Sequence, residues 1–265
     1  KALDLPESLE TAGKCAFYET GLQSLFIPAN VTDIGICVGS SPLKQVICVA
    51  KNAPKGSFEV GKDCMFYVPD TKCYRKRGWG YRGQLLSMIK ADKETIYYTG
   101  KAPTVTFTSN IPGYELVSLT KDYVLNGEVG EDSVRLVGTF KGEKEFTVEM
   151  TYHYEVKPGK QEVTWEQDLS NLHVGDKVEL TASVNTGREM WYVNYDNKVV
   201  DVKKEDGKFY LYCKAVGETD ITTFQYGDEH WETSPQITKH IVVAEVDTGI
   251  TDAVMTSDAK EISRY

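Results

Sequence analysis

The 265-residue sequence predicts a mainly β protein in which a short capped solenoid is followed by two antiparallel β-sandwiches. Apolar, strand-like segments near the start recur about every 22 residues, which is typical of a solenoid of stacked strands. Later segments alternate apolar and polar residues and are separated by Gly, Asn and Asp turn signals, which is typical of sandwich strands. We expect little helix, mainly near residues 70–80.

The composition is that of an ordinary globular protein, with 41% apolar and 26% charged residues. No run approaches the roughly 18 consecutive apolar residues that a membrane helix needs, so we expect no membrane span in this segment. The net charge of −9 argues against a nucleic-acid partner. Residues 1–90 carry 12 basic and 8 acidic side chains, whereas residues 158–247 carry 9 basic and 17 acidic ones. This uneven distribution of charge along the chain indicates a string of modules.

The solenoid prediction rests on an internal repeat. The segment Leu3–Pro6 recurs 22 residues later as Leu25–Pro28, and a third start follows at Leu43–Cys48. This period and the L-x-x-L-x-I spacing lie in the leucine-rich-repeat range. Each short strand would point alternate apolar residues, such as Leu25 and Ile27, into the core, and each turn would cover the next.

The six cysteines are too few to indicate a disulfide scaffold for a chain of this length. No CxxC pair occurs, so neither a zinc ribbon nor a thioredoxin-like site is indicated. We interpret the cysteines mainly as small buried apolar residues. A bridge between Cys64 and Cys73 stays open, because sequence alone does not define pairing.

The repeated segments resemble a known family. Leu22–Gly35 is similar to the BspA-type leucine-rich repeat of Bacteroidetes surface proteins, and Gly13–Phe17 fits the preceding copy of that pattern. The next copy departs from the pattern at Val38–Gly39, where Ala-Phe is usual. Cys64–Pro69 resembles the last strand before the short helix of the closing cap. The resemblance implies that residues 1–90 are C-terminal leucine-rich repeats with their cap, about two and a half repeats in all.

The second predicted module covers residues 91–157. Its predicted strands lie at intervals of about ten residues, which favours a small antiparallel sandwich. These strands are Thr95–Tyr98, Thr104–Phe107, Val134–Val137 and Phe146–Met150. The segment Tyr97–Lys101 resembles the opening of the small bacterial Ig-like repeats of surface adhesins, which implies an Ig-like β-domain.

The third predicted module covers residues 158–246. Its turn at Val174–Asp176, its strand entry at Ala215–Thr222 and its loop at Gly227–Glu229 resemble those of the group-2 bacterial Ig-like domain. The segment Met190–Tyr192 is bulkier than the corresponding stretch of that family. Two interpretations stay open for it, a binding surface or a larger core residue. Residues 247–265 resemble a linker, or the start of a sorting segment, in Bacteroidetes surface proteins.

Basic and aromatic residues are interleaved in the predicted cap. The candidate binding residues are Arg75, Arg77, Trp79 and Arg82. Cationic side chains placed between aromatic rings suit a polyanion or an acidic glycan. The alternative, and simpler, interpretation is a solvated helix face whose aromatic residues pack on the cap.

Motifs that indicate catalysis are missing from the sequence. It has no HExxH pair, GxSxG elbow, P-loop, or GxGxxG after a predicted strand. The most site-like group is Gly227–Trp231, for which the alternative is a loop between strands with Trp231 packed under it. We therefore expect no catalytic residues, no cofactor and no metal site.

Together, the resemblances imply a non-enzymatic protein with several modules, located outside the cell or on the outer cell surface. Its function would be adhesion or macromolecular binding, with a host or bacterial surface protein or glycan as the partner. We expect a monomer. The alternative is a C-terminal accessory or spacer region of a larger secreted hydrolase, and the gene upstream of residue 1 would distinguish the two.

Overall fold

The computed structural model describes residues 1–37, 42–56, 58–120 and 122–246. The protein is mainly β, as predicted, and divides into two compact units, Lys1–Gly159 and Lys160–Tyr265. The departure from the repeat at Val38–Gly39 and the predicted linker at 247–265 lie outside the described residues.

The described residues of the first unit form fifteen strands and one helix. In chain order they are β1 (Ala2–Asp4), β2 (Thr11–Ala12), β3 (Ser24–Ile27), β4 (Asp33–Ile34), β5 (Ile36–Cys37), β6 (Gln45–Cys48), β7 (Phe58–Glu59), β8 (Met65–Val68), α1 (Thr71–Lys76), β9 (Gln84–Ser87), β10 (Ile89–Ala91), β11 (Ile96–Tyr97), β12 (Phe107–Ser109), β13 (Glu115–Leu119), β14 (Gly130–Lys141) and β15 (Glu145–Lys157).

The repeat in the sequence builds a solenoid-like stack. Strands β1, β3, β6, β8 and β9 form one parallel sheet in that order. Equivalent positions of successive coils are paired across it: Leu3 with Leu25, Leu25 with Val46, Val46 with Phe66, and Phe66 with Leu85. On the opposite side of the coils, β2 pairs with β4 and β5 pairs with β7, again in parallel. The stack therefore has five strands: the three starts of the repeat, the strand recognised at Cys64–Pro69, and β9, which the sequence analysis did not assign to it.

The sheet of the stack buries both of its faces. Leu25, Val46 and Phe66 point into the coils and join one hydrophobic core. The neighbouring residues Phe26 and Ile47 belong to a second core, on the other face of the same sheet. Alternate side chains of a strand point to opposite faces, so each of these strands serves two cores at once.

The helix α1 lies between β8 and β9, where a helix is predicted. Asp70 is its N-cap, and its side chain accepts a hydrogen bond of 2.9 Å from the backbone N–H of Cys73. Among the described residues α1 is the only helix, and it is not long and apolar enough to cross a membrane.

The strands predicted as a separate module at residues 91–157 lie in the same compact unit as residues 1–90. Four strands of this region form a sheet in the order β11-β15-β14-β13, dominated by the β14–β15 hairpin, whereas β12 pairs with β10 in a separate two-stranded sheet. The pairing of β11 with β15 is parallel, which differs from the predicted all-antiparallel arrangement. The long connection through β12 to β14 makes this pairing possible. The apolar face of the hairpin shares its core with the solenoid sheet.

Within residues 160–246 the second unit forms nine strands. They are β16 (Val163–Thr164), β17 (Leu172–His173), β18 (Lys177–Glu179), β19 (Ser183–Val184), β20 (Trp191–Asn194), β21 (Val200–Glu205), β22 (Lys208–Cys213), β23 (Gly217–Phe224) and β24 (Ile237–Ala244). A four-stranded sheet, β17-β24-β23-β20, and a three-stranded sheet, β18-β22-β21, contribute to one core. Leu211 of the smaller sheet and Ile221 and Ile241 of the larger are fully buried in it.

Candidate functional site

The predicted binding residues lie on α1 and the turns that follow it, but they do not share one environment. Arg75, Arg77 and Arg82 are exposed, whereas Trp79 is only 1% exposed. The assignment of Trp79 to a binding surface is therefore wrong. We call the exposed set Arg75, Arg77 and Arg82 the cap arginines.

Trp79 is a structural residue of the core of the first unit. Its ring packs edge to face against Phe66, at 5.6 Å between centroids, and against Tyr74, at 4.9 Å. Its indole N–H donates a 3.0 Å hydrogen bond to the carbonyl of Pro54. A tryptophan that is buried with its N–H satisfied contributes packing, as in the alternative interpretation of the sequence.

The cap arginines differ from Lys72 in their ion pairing. Lys72, on the same helix, pairs with Glu131 at 2.7 Å. Within the part of the chain that the structure describes, no ion pair involves Arg75, Arg77 or Arg82. Arg77 lines a shallow cavity of about 240 Å³ to which Lys51 and Lys55 also contribute. Lys51 is itself paired with Glu149 at 3.2 Å, so among the described residues the cations around this cavity that form no ion pair are Arg77 and Lys55.

The most strongly shifted titratable groups of the first unit lie in its core. Burial raises the pKa of the Cys48 thiol to about 11 and that of the Cys64 thiol to about 12. Burial also raises the pKa of Tyr74, whose hydroxyl donates a 2.5 Å hydrogen bond to the carbonyl of Ala50. These groups are held protonated inside the stack. The Tyr74 hydroxyl supplies a hydrogen bond to a backbone carbonyl there, and the two thiols pack in the core.

All six cysteines are free thiols, and four of them are buried, namely Cys37, Cys48, Cys64 and Cys213. The bridge left open between Cys64 and Cys73 is not formed. Cys37 donates to a carboxylate oxygen of Glu59 at 3.3 Å. Hydrogen bonding with Cys15 and with Glu59 raises its pKa to about 11.

Each histidine lies beside a carboxylate. The pairs are His153 with Asp70 at 3.0 Å, His173 with Asp176 at 3.8 Å, His230 with Glu229 at 3.6 Å, and His240 with Asp220 at 2.8 Å. The first of these joins β15 to the N-cap of α1, so its geometry serves the fold. Over the described ranges, no group of three or more His, Cys, Asp or Glu side chains is placed to hold a metal ion.

A second surface, which the sequence analysis did not assign, lies in the second unit. Trp191 of β20 and Tyr226 after β23 are 47% and 53% exposed and pack edge to face at 5.6 Å. From the same two segments, Arg188 forms an ion pair with Asp228. We call these four residues the aromatic rim. The bulky Met190–Tyr192 and the site-like Gly227–Trp231 were the sequence signals nearest to it.

Comparisons with known proteins assign no function. No family model matches the sequence, and no curated protein matches it. The chain is similar to the surface-layer protein SbsC, domains 4-9, with 13% identity, a TM-score of 0.29, and coverage of 60% of this chain and 30% of that chain. It is also similar to protocadherin gammaB7 EC3-6, with 12% identity, a TM-score of 0.28, and coverage of 59% of this chain and 47% of that chain. A third similar structure is a C-terminal fragment of intimin in complex with the intimin-binding domain of its receptor. Here the identity is 15%, the TM-score is 0.23, and the coverage is 58% of this chain and 62% of that chain. The chain spans less than two thirds of each of these structures.

Proposed function

We propose that this chain belongs to a non-enzymatic protein of several modules, secreted or displayed on the cell surface, that binds an acidic macromolecule. The partner is a surface protein or glycan of a host or a bacterium. In this proposal residues 1–90 are a capped BspA-type leucine-rich-repeat stack, and residues 91–157 and 158–246 are Ig-like modules. The observation that carries the proposal is the group of exposed cap arginines, which form no ion pair with any carboxylate that the structure describes.

The chemistry of arginine supports an anionic partner. A guanidinium presents a planar fork of N–H donors that matches a carboxylate or sulfate. Arg75 and Arg77 lie at the end of α1, whose packing on the stack fixes their backbone, and Arg82 follows in the next turn. Binding of this kind depends on charge, so we expect it to weaken as the salt concentration rises.

The arrangement of the titratable groups supports a non-enzymatic role. Catalysis needs an acid, a base or a nucleophile with a tuned pKa, within hydrogen-bond reach of a substrate. Cys48, Cys64 and Tyr74 are shifted toward their protonated forms inside the core. Asp70 caps α1 and also contacts His153. These groups have structural partners already.

The proposal is tested with the whole 265-residue chain on an array of matrix proteins and of sulfated and carboxylated glycans, beside a broad hydrolase screen. We expect salt-sensitive binding to acidic members of the array and no turnover. Turnover that is lost when one residue of this chain is substituted would contradict the proposal, as would binding to uncharged members only.

A further inference from the structure

At one end of the second unit, the fold leaves two aromatic rings in contact and half exposed. The planes of Trp191 and Tyr226 meet at 74°, and Tyr226 also packs edge to face on the buried Phe224 at 4.7 Å. Aromatic side chains contribute to stability mainly through burial. Two large rings held together at the surface therefore present an apolar platform to solvent.

The platform is held by buried hydrogen bonds. The hydroxyl of Thr223, which is fully buried, donates to the carbonyl of Trp191 at 2.8 Å. Gln225, only 6% exposed, donates from its side-chain amide to the carbonyl of Glu189. These bonds join the segment before β20 to the end of β23. Since both segments are fixed, the two rings are preorganised, which lowers the entropic cost of binding a ligand.

Polar groups adjoin the platform in the same two segments. Arg188 comes three residues before Trp191, Asp228 comes two residues after Tyr226, and the two form an ion pair. Asp228 is fixed further, because one of its carboxylate oxygens accepts two backbone N–H groups of its own loop at 2.9 Å. Nη1 of Arg188 is buried and has no hydrogen-bond partner among the described residues. Such a buried donor is uncommon in a folded protein.

These features select the chemistry of the ligand. A sugar ring has C–H faces that stack on aromatic rings and hydroxyl groups at its edge that both donate and accept hydrogen bonds. The ion pair offers a carboxylate acceptor and a guanidinium donor for such hydroxyls. The charge of Arg188 is already matched by Asp228, and residues 158–247 carry 9 basic and 17 acidic side chains. This excess of negative charge repels polyanions and favours an uncharged ligand.

A peptide strand is the competing ligand, because β20 lies at the edge of its sheet. A strand added at that edge would be bound mainly through backbone hydrogen bonds. The exposed rings would contribute little to such pairing, since side chains project from the faces of a sheet and not along its edge. The aromatic rim therefore favours a sugar.

We propose that the aromatic rim, Trp191, Tyr226, Arg188 and Asp228, is a binding site for a neutral polysaccharide. The aromatic pair stacks on a sugar ring, and the ion pair hydrogen-bonds to its hydroxyl groups. This site lies in a different unit from the cap arginines and does not depend on them.

The test uses the whole chain and a panel of defined hexasaccharides: cellohexaose, xylohexaose, mannohexaose, chitohexaose and, as the acidic member, hexagalacturonate. Binding is measured by calorimetry and by tryptophan fluorescence. We expect at least one neutral member to bind, and both Trp191→Ala and Tyr226→Ala to weaken that binding at least about tenfold. Tyr81→Ala is the matched control, because Tyr81 is 88% exposed and lies in the other unit.

Arg188→Lys is a further variant that keeps the positive charge and removes the planar fork, and we expect it to weaken binding as well. If an alanine variant no longer shows a thermal unfolding transition and has therefore not folded, Arg188→Lys is used in its place. Failure of every neutral member to bind, binding of hexagalacturonate alone, or affinity unchanged in Trp191→Ala and Arg188→Lys would each overturn the proposal. None of these results bears on the cap arginines, which are tested with their own variants.

Discussion

Phe26 of the parallel sheet and Phe146 of the long hairpin pack edge to face, with ring centroids 5.2 Å apart and ring planes at 61°. Both are buried, and the ammonium of Lys144 lies 4.0 Å from the centroid of the Phe26 ring. The contact joins the outer face of β3 to β15, within the core that the stack and the hairpin share. The stack and the hairpin are therefore expected to unfold together.

The first prediction concerns this shared core. Phe146→Ala should lower the free energy of unfolding by about 3–5 kcal/mol, because it removes a buried aromatic ring. Urea unfolding followed by hydrogen exchange should show β3 and β15 losing protection in one transition. Val117→Ala, at an exposed position, is the control and should change the stability by less than about 0.5 kcal/mol. Loss of the hairpin alone, with the stack unaffected, would contradict the prediction.

The second prediction concerns the cap. Trp79→Ala should destabilise the first unit by about 3–5 kcal/mol, because it empties the space between Phe66 and Tyr74 and leaves the carbonyl of Pro54 without its donor. Trp79→Phe should restore much of the packing and cost less. Thermal unfolding of both variants measures the difference. Equal stability of wild type and Trp79→Ala would show that Trp79 is not a core residue.

The third prediction is a pH dependence at Asp70. Partial burial opposes ionisation of Asp70, but hydrogen bonds from the Cys73 backbone and from His153 outweigh it, so its pKa lies below the ordinary value. A carboxyl with a lowered pKa stabilises the fold fully above its unfolded pKa, about 3.9, and loses this contribution as the pH falls through the folded pKa. Asp70→Asn should therefore lower the free energy of unfolding near neutral pH, and this destabilisation should become smaller as the pH falls below about 4.

Urea unfolding at several pH values measures this effect. The control is Asp63→Asn, at an exposed position, for which we expect little change at any of them. A destabilisation by Asp70→Asn that stays constant down to the lowest pH would rule out the carboxylate as its cause.

The fourth prediction concerns thiol reactivity. The thiolate is the reactive form, so accessibility and pKa together set the rate of alkylation. Exposed Cys15 should react with iodoacetamide first, and Cys48 and Cys64, which are buried with pKa values of about 11 and about 12, should react only when the stack unfolds. Peptide mapping by mass spectrometry gives the order. Early modification of Cys48 or Cys64 in folded protein would contradict the described core.

The sequence predicted the strands of the stack because its repeat is local. Leu25–Ile27, Val46–Cys48 and Phe66–Val68 are continuous apolar triplets, a pattern typical of parallel strands buried on both faces. The sequence analysis considered only the residues that point into the coils and did not predict the second layer over the outer face. The identity of this layer was not predictable, because β14 and β15 lie far along the chain and nothing local specifies which surface they cover.

The aromatic rim was only partly predictable for a similar reason. The sequence marked Met190–Tyr192 as unusually bulky and Gly227–Trp231 as site-like. It did not show that Trp191 and Tyr226 meet, because that contact depends on the pairing of β20 with β23 across a long connection. Conversely, Trp79 looked like a surface residue beside arginines, but the turn after α1 directs it into the core.

The central claim, that the cap arginines bind an acidic macromolecule, is tested most directly with heparin as the probe. The dissociation constant is measured for wild type, for the variant carrying Arg75→Ala, Arg77→Ala and Arg82→Ala, and for a control carrying Lys14→Ala, Lys62→Ala and Lys90→Ala. The control removes the same charge from exposed positions of the same unit. We expect salt-sensitive binding by wild type, a loss of at least about tenfold in the arginine variant, and a much smaller loss in the control. Equal losses in the two variants, or no binding by wild type, would contradict the claim.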